Sequence, residues 1–416
     1  MTRTPSRRAP ILTLCVLTTA LCAACAARDD DGRVTVRDSA GVTIVESRAP
    51  QWSPHEGWLV SGLPLFEIGA PGTAEQTEFQ RIDGARLLPD GRIVVADGGA
   101  NTIRMFAPDG TILWTAGRAG DGPGEFRLIE TLGVGPGDSV WVYDYGLRRF
   151  TILTLDGGTA RTAPLGGALS AVGAVGRFPD GRFVVREFWH SGAGGSPLRT
   201  GLRRDPTAVA LISADGMLLD TLAVILGREV FIRSENGRAV MSAPLFARAG
   251  AAAVHGASVV VGDQERFELR VYDERGTVER LIRLPDVDIA VTQADVERLI
   301  DEEVARRPAA ERPGLRRELE AMDVPPTRPA FGDLLVDDAG NLWAAEYARW
   351  PRFPRHWTVL DPTGRWLGTV AMPDGFRPLH AGTDRVLGVW RDTMDVERVR
   401  VYALTRPSDG EMASER

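Results

Sequence analysis

One pattern constrains what this chain can fold into. Six times an apolar run meets a tight turn and a second apolar run follows. The turns are Asp90-Gly91, Gly137-Asp138, Asp180-Gly181, His255-Gly256, Ala339-Gly340 and Thr383-Asp384. A second turn follows the first five, at Asp109-Gly110, Asp156-Gly157, Asp215-Gly216, Arg275-Gly276 and Thr363-Gly364. Asp90 to Asp109, Gly137 to Asp156 and Gly256 to Arg275 each span 19 residues, the length of two short strands with their turns. Such dipeptides suit two-residue hairpins because those turns need positive φ.

The runs between turns are β-branched and nearly continuous: Ile93-Val94-Val95-Ala96, Val140-Trp141-Val142-Tyr143, Phe183-Val184-Val185 and Val259-Val260-Val261. Leu342-Trp343-Ala344 and Val386-Leu387-Gly388-Val389 complete the set. Runs without polar alternation predict strands buried on both faces. Six units of four-stranded meander predict an all-β chain, a six-bladed β-propeller. The sixth unit holds only three strands, ending at Val399 to Leu404. Register supplies the fourth. Leu65 to Phe79 and Ile112 to Phe126 are both 14 residues, and Phe79 to Asp90 and Phe126 to Gly137 are both 11. Leu63 to Ile68 is therefore expected to close the last blade as its outer strand, removing the ring's open edge.

Two stretches carry a resemblance. Gly117 to Phe126 with Val140 to Asp144 resembles an NHL-type repeat, and so does Arg81 to Gly110 with Val95-Ala96-Asp97 and Asn101. The likeness covers about residues 60–405, with the later blades matching in spacing alone. It implies a six-bladed ring and no particular function, because such rings host binding and catalytic members alike.

The N-terminus reads as an export signal over residues 1–24. Arg3, Arg7 and Arg8 form a charged region, and Ile11 to Ala20 an apolar one too short to span a membrane. Leu21-Cys22-Ala23-Ala24-Cys25 resembles the bacterial lipobox, which implies lipidation at Cys25 and a lipid anchor in the cell envelope. Cys22 departs from the usual aliphatic residue, and ordinary cleavage near Ala24 is the alternative. The three cysteines, Cys15, Cys22 and Cys25, all lie here, so the rest of the chain has neither disulfide nor thiol chemistry. All 49 basic residues are arginine, which excludes Schiff-base lysine chemistry and a P-loop lysine. The net charge of −7 argues against nucleic acid as a partner. Residues 25–56 read as a tether with a short hairpin, 57–405 as the ring, and 406–416 as a disordered tail.

In such a ring the turn between strands one and two lies on one face. Here that set is uniformly tight, and the opposite set carries the insertions. Phe188 to Pro206, Gly227 to Arg248, Pro285 to Pro329 and Ala348 to Arg355 lengthen loops of one face. Long loops gathered on one side of a rigid scaffold usually carry function. The longest spans about residues 284–329, between blades four and five. Thr292 to Asp295 reads as a capping box before Val296, Leu299, Ile300 and Val304, predicting a helix, and Leu315, Leu319 and Met322 predict a second.

Aromatics and arginines crowd these loops. Trp189, His190, Arg199, Arg233, Trp350, Arg352, Phe353, Arg355, Trp390 and Arg391 form the candidate ligand-binding face, a composition typical of binding hot spots. An acid ends the second strand of each unit: Asp97, Asp144, Glu187, Asp263, Glu346 and Asp392. Recurrence at one repeat position favours a turn-capping role. Asp83, Glu130 and Asp333 start inner strands and are the candidate metal ligands of a rival reading. Lactonase-like propellers hold Ca²⁺ at that place with acids and Asn, but no Asn matches here. The five histidines lack metal-site spacing, and no Gly-x-Ser-x-Gly elbow appears. The expectation is an exported, lipid-anchored module that binds an envelope protein, peptide or glycan through one face and needs no cofactor. The rival is a metal-dependent lactonase or hydrolase.

Overall fold

The computed structural model describes residues 27–28, 32–53, 56–69 and 78–406, apart from gaps at 136, 138, 168, 170, 190–199, 236–237 and 350. The predicted export signal, Cys25 and the tail beyond 406 lie outside the described residues.

The described chain is mostly β, arranged as six sheets. Sheet one runs Ile82–Leu87, Ile93–Asp97, Thr102–Phe106 and Ile112–Ala116. Sheet two runs Ile129–Val134, Val140–Asp144, Arg149–Leu153 and Thr159–Pro164. Each is an antiparallel meander, and the second strand of each is buried along its whole length. That burial is why those runs are apolar without alternation.

The remaining sheets repeat the meander with additions. Sheet three begins Ala171–Arg177 and Phe183–Trp189 and gains a fifth strand, Arg238–Ser242. Its third and fourth strands, Gly201–Ile212 and Leu218–Glu235, are long. Residues 201–206 pair only with 226–232, so much of what reads as loop insertion in the sequence is a β-hairpin extending past the sheet. The β-branched and aromatic run Val230-Phe231-Ile232 is the strand signal behind it. Sheet four (Ala251–His255, Ser258–Gly262, Glu268–Tyr272, Val278–Arg283) grows to seven strands. The hairpin of Val34–Ser39 and Val42–Ser47 docks on it, with Val42–Ser47 parallel to Val278–Arg283. Sheet five is Leu334–Val336, Leu342–Ala345, His356–Leu360 and Trp366–Ala371.

Sheet six is Phe376–Ala381, Arg385–Arg391 and Glu397–Thr405, completed from the N-terminal side. Phe66–Ile68 pairs antiparallel with Glu397–Thr405, with Ile68 opposite Val399, and Leu59–Val60 pairs with its end. The inner strands touch in a closed cycle, from sheet one round to sheet six and back to sheet one. One apolar cluster fills each of the six junctions between neighbouring sheets. Between sheets two and three, Phe150 and Phe183 stack with centroids 3.9 Å apart, and Trp141 meets both edge-on. Each such junction removes apolar area from water at roughly 25 cal/mol per Å².

Between sheets four and five lie α1 (Gln293–Ala305) and α2 (Arg312–Glu320). Thr292 and Asp295 form the reciprocal capping box of α1. Val296, Leu299, Ile300, Val304 and Leu319 pack on Leu245 and Phe246 from the link between sheets three and four. Among the described residues no helix is long and apolar enough to cross a membrane.

Candidate ligand-binding site at the mouth of the ring

The inner strands start at the end of the ring that carries the insertions. A cavity of about 380 Å³ lies among them, lined by Asp83, Glu130, Arg186, Asp333 and Arg377. A second, of about 540 Å³, adjoins it and shares Arg186, Gly250, Asp333 and Arg377. Its walls come from inserted segments: Arg228 and residues 247–250 from one link, and residues 346–349 and 352–354 from the loop of sheet five. Rigid strands therefore set the floor and sequence-specific loops set the walls.

The acids of the floor are already engaged, except one. Arg81 grips Asp83 through Nε and Nη2, at 2.9 and 2.8 Å. Burial raises the Asp83 pKa while Arg81 pulls it back. Glu130 accepts from the Thr131 hydroxyl at 2.5 Å and from the Ala174 N–H at 3.2 Å. Burial pushes its pKa up against both hydrogen bonds. Asp333 is exposed and makes no side-chain hydrogen bond among the described residues. Among those residues no group of three or more His, Cys, Asp or Glu side chains could hold a metal ion.

The cations differ. Arg186 Nη1 donates to the Ala249 carbonyl at 2.8 Å, and its guanidinium lies 5.7 Å from the Phe188 ring centroid. Burial lowers its pKa, opposed by the charges of Asp333 and Glu130. Arg377 lies 5.5 Å from the Phe353 centroid, and its buried Nε has no hydrogen-bond acceptor among the described residues. Burial lowers its pKa too, opposed first by Asp333. Deeper in the ring Arg86 donates to the Leu379 carbonyl at 2.7 Å, and burial brings its pKa down to about 10.

The predicted face residues are mostly spoken for. Arg233 pairs with Glu318 at 3.3 Å and borders an apolar cavity of about 690 Å³ beneath α2. Arg352 pairs with Glu302 of α1, and Arg355 with Asp374 at 3.0 Å. Arg391 pairs with Glu397 at 2.6 Å and lies 4.6 Å from the Phe353 centroid. Trp390 donates to the Asp374 carbonyl at 3.0 Å and carries Arg400 on its ring, 3.4 Å from the centroid. Arg352, Phe353, Arg355 and Arg391 share a cavity of about 800 Å³ beside α1. Trp189 ends a strand of sheet three, with its side chain outside the described residues, as are His190, Arg199 and Trp350. The recurrent acids do accept backbone N–H groups: Asp97 from Gln80, Arg81 and Ala100, Asp144 from Arg127, Leu128 and Leu147.

Sequence reasoning missed Arg186, Arg228 and Arg377. Two of them leave a trace. Arg186 breaks the apolar run Val184-Val185 at the position before the strand-ending acid, which Ala96, Tyr143, Gly262, Ala345 and Arg391 hold in the other repeats. Arg377 stands within one residue of the position that Asp83 and Glu130 hold in their strands.

A protein of Bacteroides fragilis assigned as exported superposes with a TM-score of 0.50 at 10% identity, covering 88% of this chain and 100% of that one. The fold is that of a β-propeller. Virginiamycin B lyase from Staphylococcus aureus is more distant, at TM-score 0.41 and 12% identity over 84% of this chain and 99% of its own. A protein assigned as a gluconolactonase gives 0.40 and 16% over 82% and 93%. No protein-family model and no curated protein matches the chain.

Proposed function

We propose that this chain is an exported six-bladed β-propeller that binds an envelope protein, peptide or glycan at the insertion-bearing mouth of the ring. Residues 1–24 are the export signal, Cys25 carries the lipid, residues 25–56 tether and brace the ring, and 284–329 cap it. One observation carries the reading: segments inserted at three separate points of the repeat, within 227–248, 285–329 and 348–355, meet around two cavities on that face, which share Tyr347, Arg352 and Phe353. A binding role is favoured over metal chemistry because Asp83 and Glu130 are already held by Arg81, Thr131 and the Ala174 N–H.

The test is binding of the purified full chain, in non-ionic detergent, to peptide and glycan arrays. Tyr347→Ala and Phe353→Ala in the wall should remove the signal, and Thr383→Ala at the opposite end should leave it. Equal signals from all three would sink the reading. Labelling with a fatty-acid analogue, lost in Cys25→Ala, tests the anchor.

A further inference from the structure

Resting on that reading, we infer that Arg186, Arg228 and Arg377 form a receptor for an oxyanion, a carboxylate or phosphate group on the ligand, at the ring mouth.

Six arginines line the upper cavity: Arg186, Arg228, Arg248, Arg349, Arg352 and Arg377. Three are neutralised. Arg248 pairs with Glu229 at 3.0 Å, Arg349 with Glu303 at 3.7 Å, and Arg352 with Glu302. The other three make no ion pair among the described residues. Two acids line the same cavity, Asp333 and Glu346. Glu346 is committed to the N–H groups of Arg355 and His356 and to the His356 ring. Asp333 is thus the one uncommitted carboxylate among the described residues lining this cavity, against three guanidinium groups.

This local excess of positive charge stands in a chain whose net charge is −7. General attraction of anions to the surface does not account for it. A partly buried guanidinium without a counterion costs folding free energy, and chains keep such groups where a ligand completes them. Arg377 lies over the Phe353 ring and the Ala249 carbonyl anchors Arg186, so both guanidinium groups already have a fixed neighbour at the cavity. A volume of about 540 Å³ suits a charged terminal group with part of its carrier.

The test is calorimetry of the full chain with inorganic phosphate and, separately, citrate. At least one should bind in the millimolar range or tighter. Arg228→Gln and Arg377→Gln should each weaken binding about tenfold or more. Asp333→Asn should tighten it, because the competing carboxylate charge is gone. Arg228 is exposed, so its variant remains informative if Arg377→Gln fails to fold. Binding of phosphate alone assigns a phosphate-bearing ligand, and of citrate alone a carboxylate-bearing one. No heat from either anion, or affinities unmoved by Arg228→Gln and Asp333→Asn, overturns the inference. If an array ligand binds the wall and neither anion competes, the binding face stands and the oxyanion receptor falls.

Discussion

Glu397, in the last strand of sheet six, accepts the backbone N–H of Ile82, the first residue of sheet one, at 2.7 Å across 315 positions of sequence. Its other oxygen takes Arg391 at 2.6 Å. One carboxylate thus joins the last sheet to the first and neutralises a partly buried cation. Glu397→Ala should cost about 2 kcal/mol, because it removes the side-chain acceptor of the Ile82 N–H and the nearest counter-charge of Arg391. Denaturant unfolding should show a lower midpoint with unchanged slope. Glu397→Gln, which keeps an acceptor, should recover part of the loss. A midpoint unmoved in Glu397→Ala would show that this contact does not support closure.

The second closure device is a strand. Ile68 is 3% exposed and packs among Ile82, Val95, Leu387 and Val399. Ile68→Ala should cost about 3 kcal/mol, read by thermal or denaturant melts. Deleting residues 57–69 should do more than destabilise. It leaves Glu397–Thr405 as an open edge, and open edges pair with other chains. Sedimentation should then show self-association, which Ile68→Ala alone does not produce.

The repeat was legible because burial on both faces dictates apolar runs and tight turns dictate glycine. The 14- and 11-residue registers pointed to Leu63 to Ile68, and Phe66–Ile68 is the paired strand. The parallel docking of Val42–Ser47 on sheet four was not legible, since a strand's pattern names its face and not its partner. The face residues show the same limit. Arg352, Arg355 and Arg391 looked available in sequence, but their acids, Glu302, Asp374 and Glu397, are brought to them by the fold. Arg186 reads as an interruption of an apolar run, yet only the ring places it beside Arg377.

Turn chemistry gives a graded prediction. Gly216 has φ 91°, and a Cβ there would lie 2.0 Å from the Pro164 carbonyl oxygen of sheet two. Its own carbonyl accepts from Gly166, so the turn cannot simply lift away. Gly137 has φ 67° with nothing within 4 Å of a Cβ. Gly137→Ala should cost about 1 kcal/mol for left-handed backbone alone. Gly216→Ala should cost clearly more, because backbone must move as well. Melting both variants side by side checks the order, and equal losses would refute the close approach.

Glu130 predicts a pH dependence of stability. Burial raises its folded pKa above the ordinary 4.5, against the pull of Thr131 and the Ala174 N–H. The folded chain therefore holds this proton more tightly than the unfolded chain does. Its contribution is fully present below the unfolded pKa and is lost as pH rises through the folded one. Glu130→Gln keeps the acceptor oxygen for Thr131 and Ala174 and removes the ionisation. Relative to wild type, the variant should gain stability as pH rises from about 4 towards neutrality, with little difference at the acid end. Thermal melts across that range measure the difference. A constant offset between the two proteins would mean that the Glu130 carboxyl titrates alike in both states, and that its burial carries no electrostatic penalty.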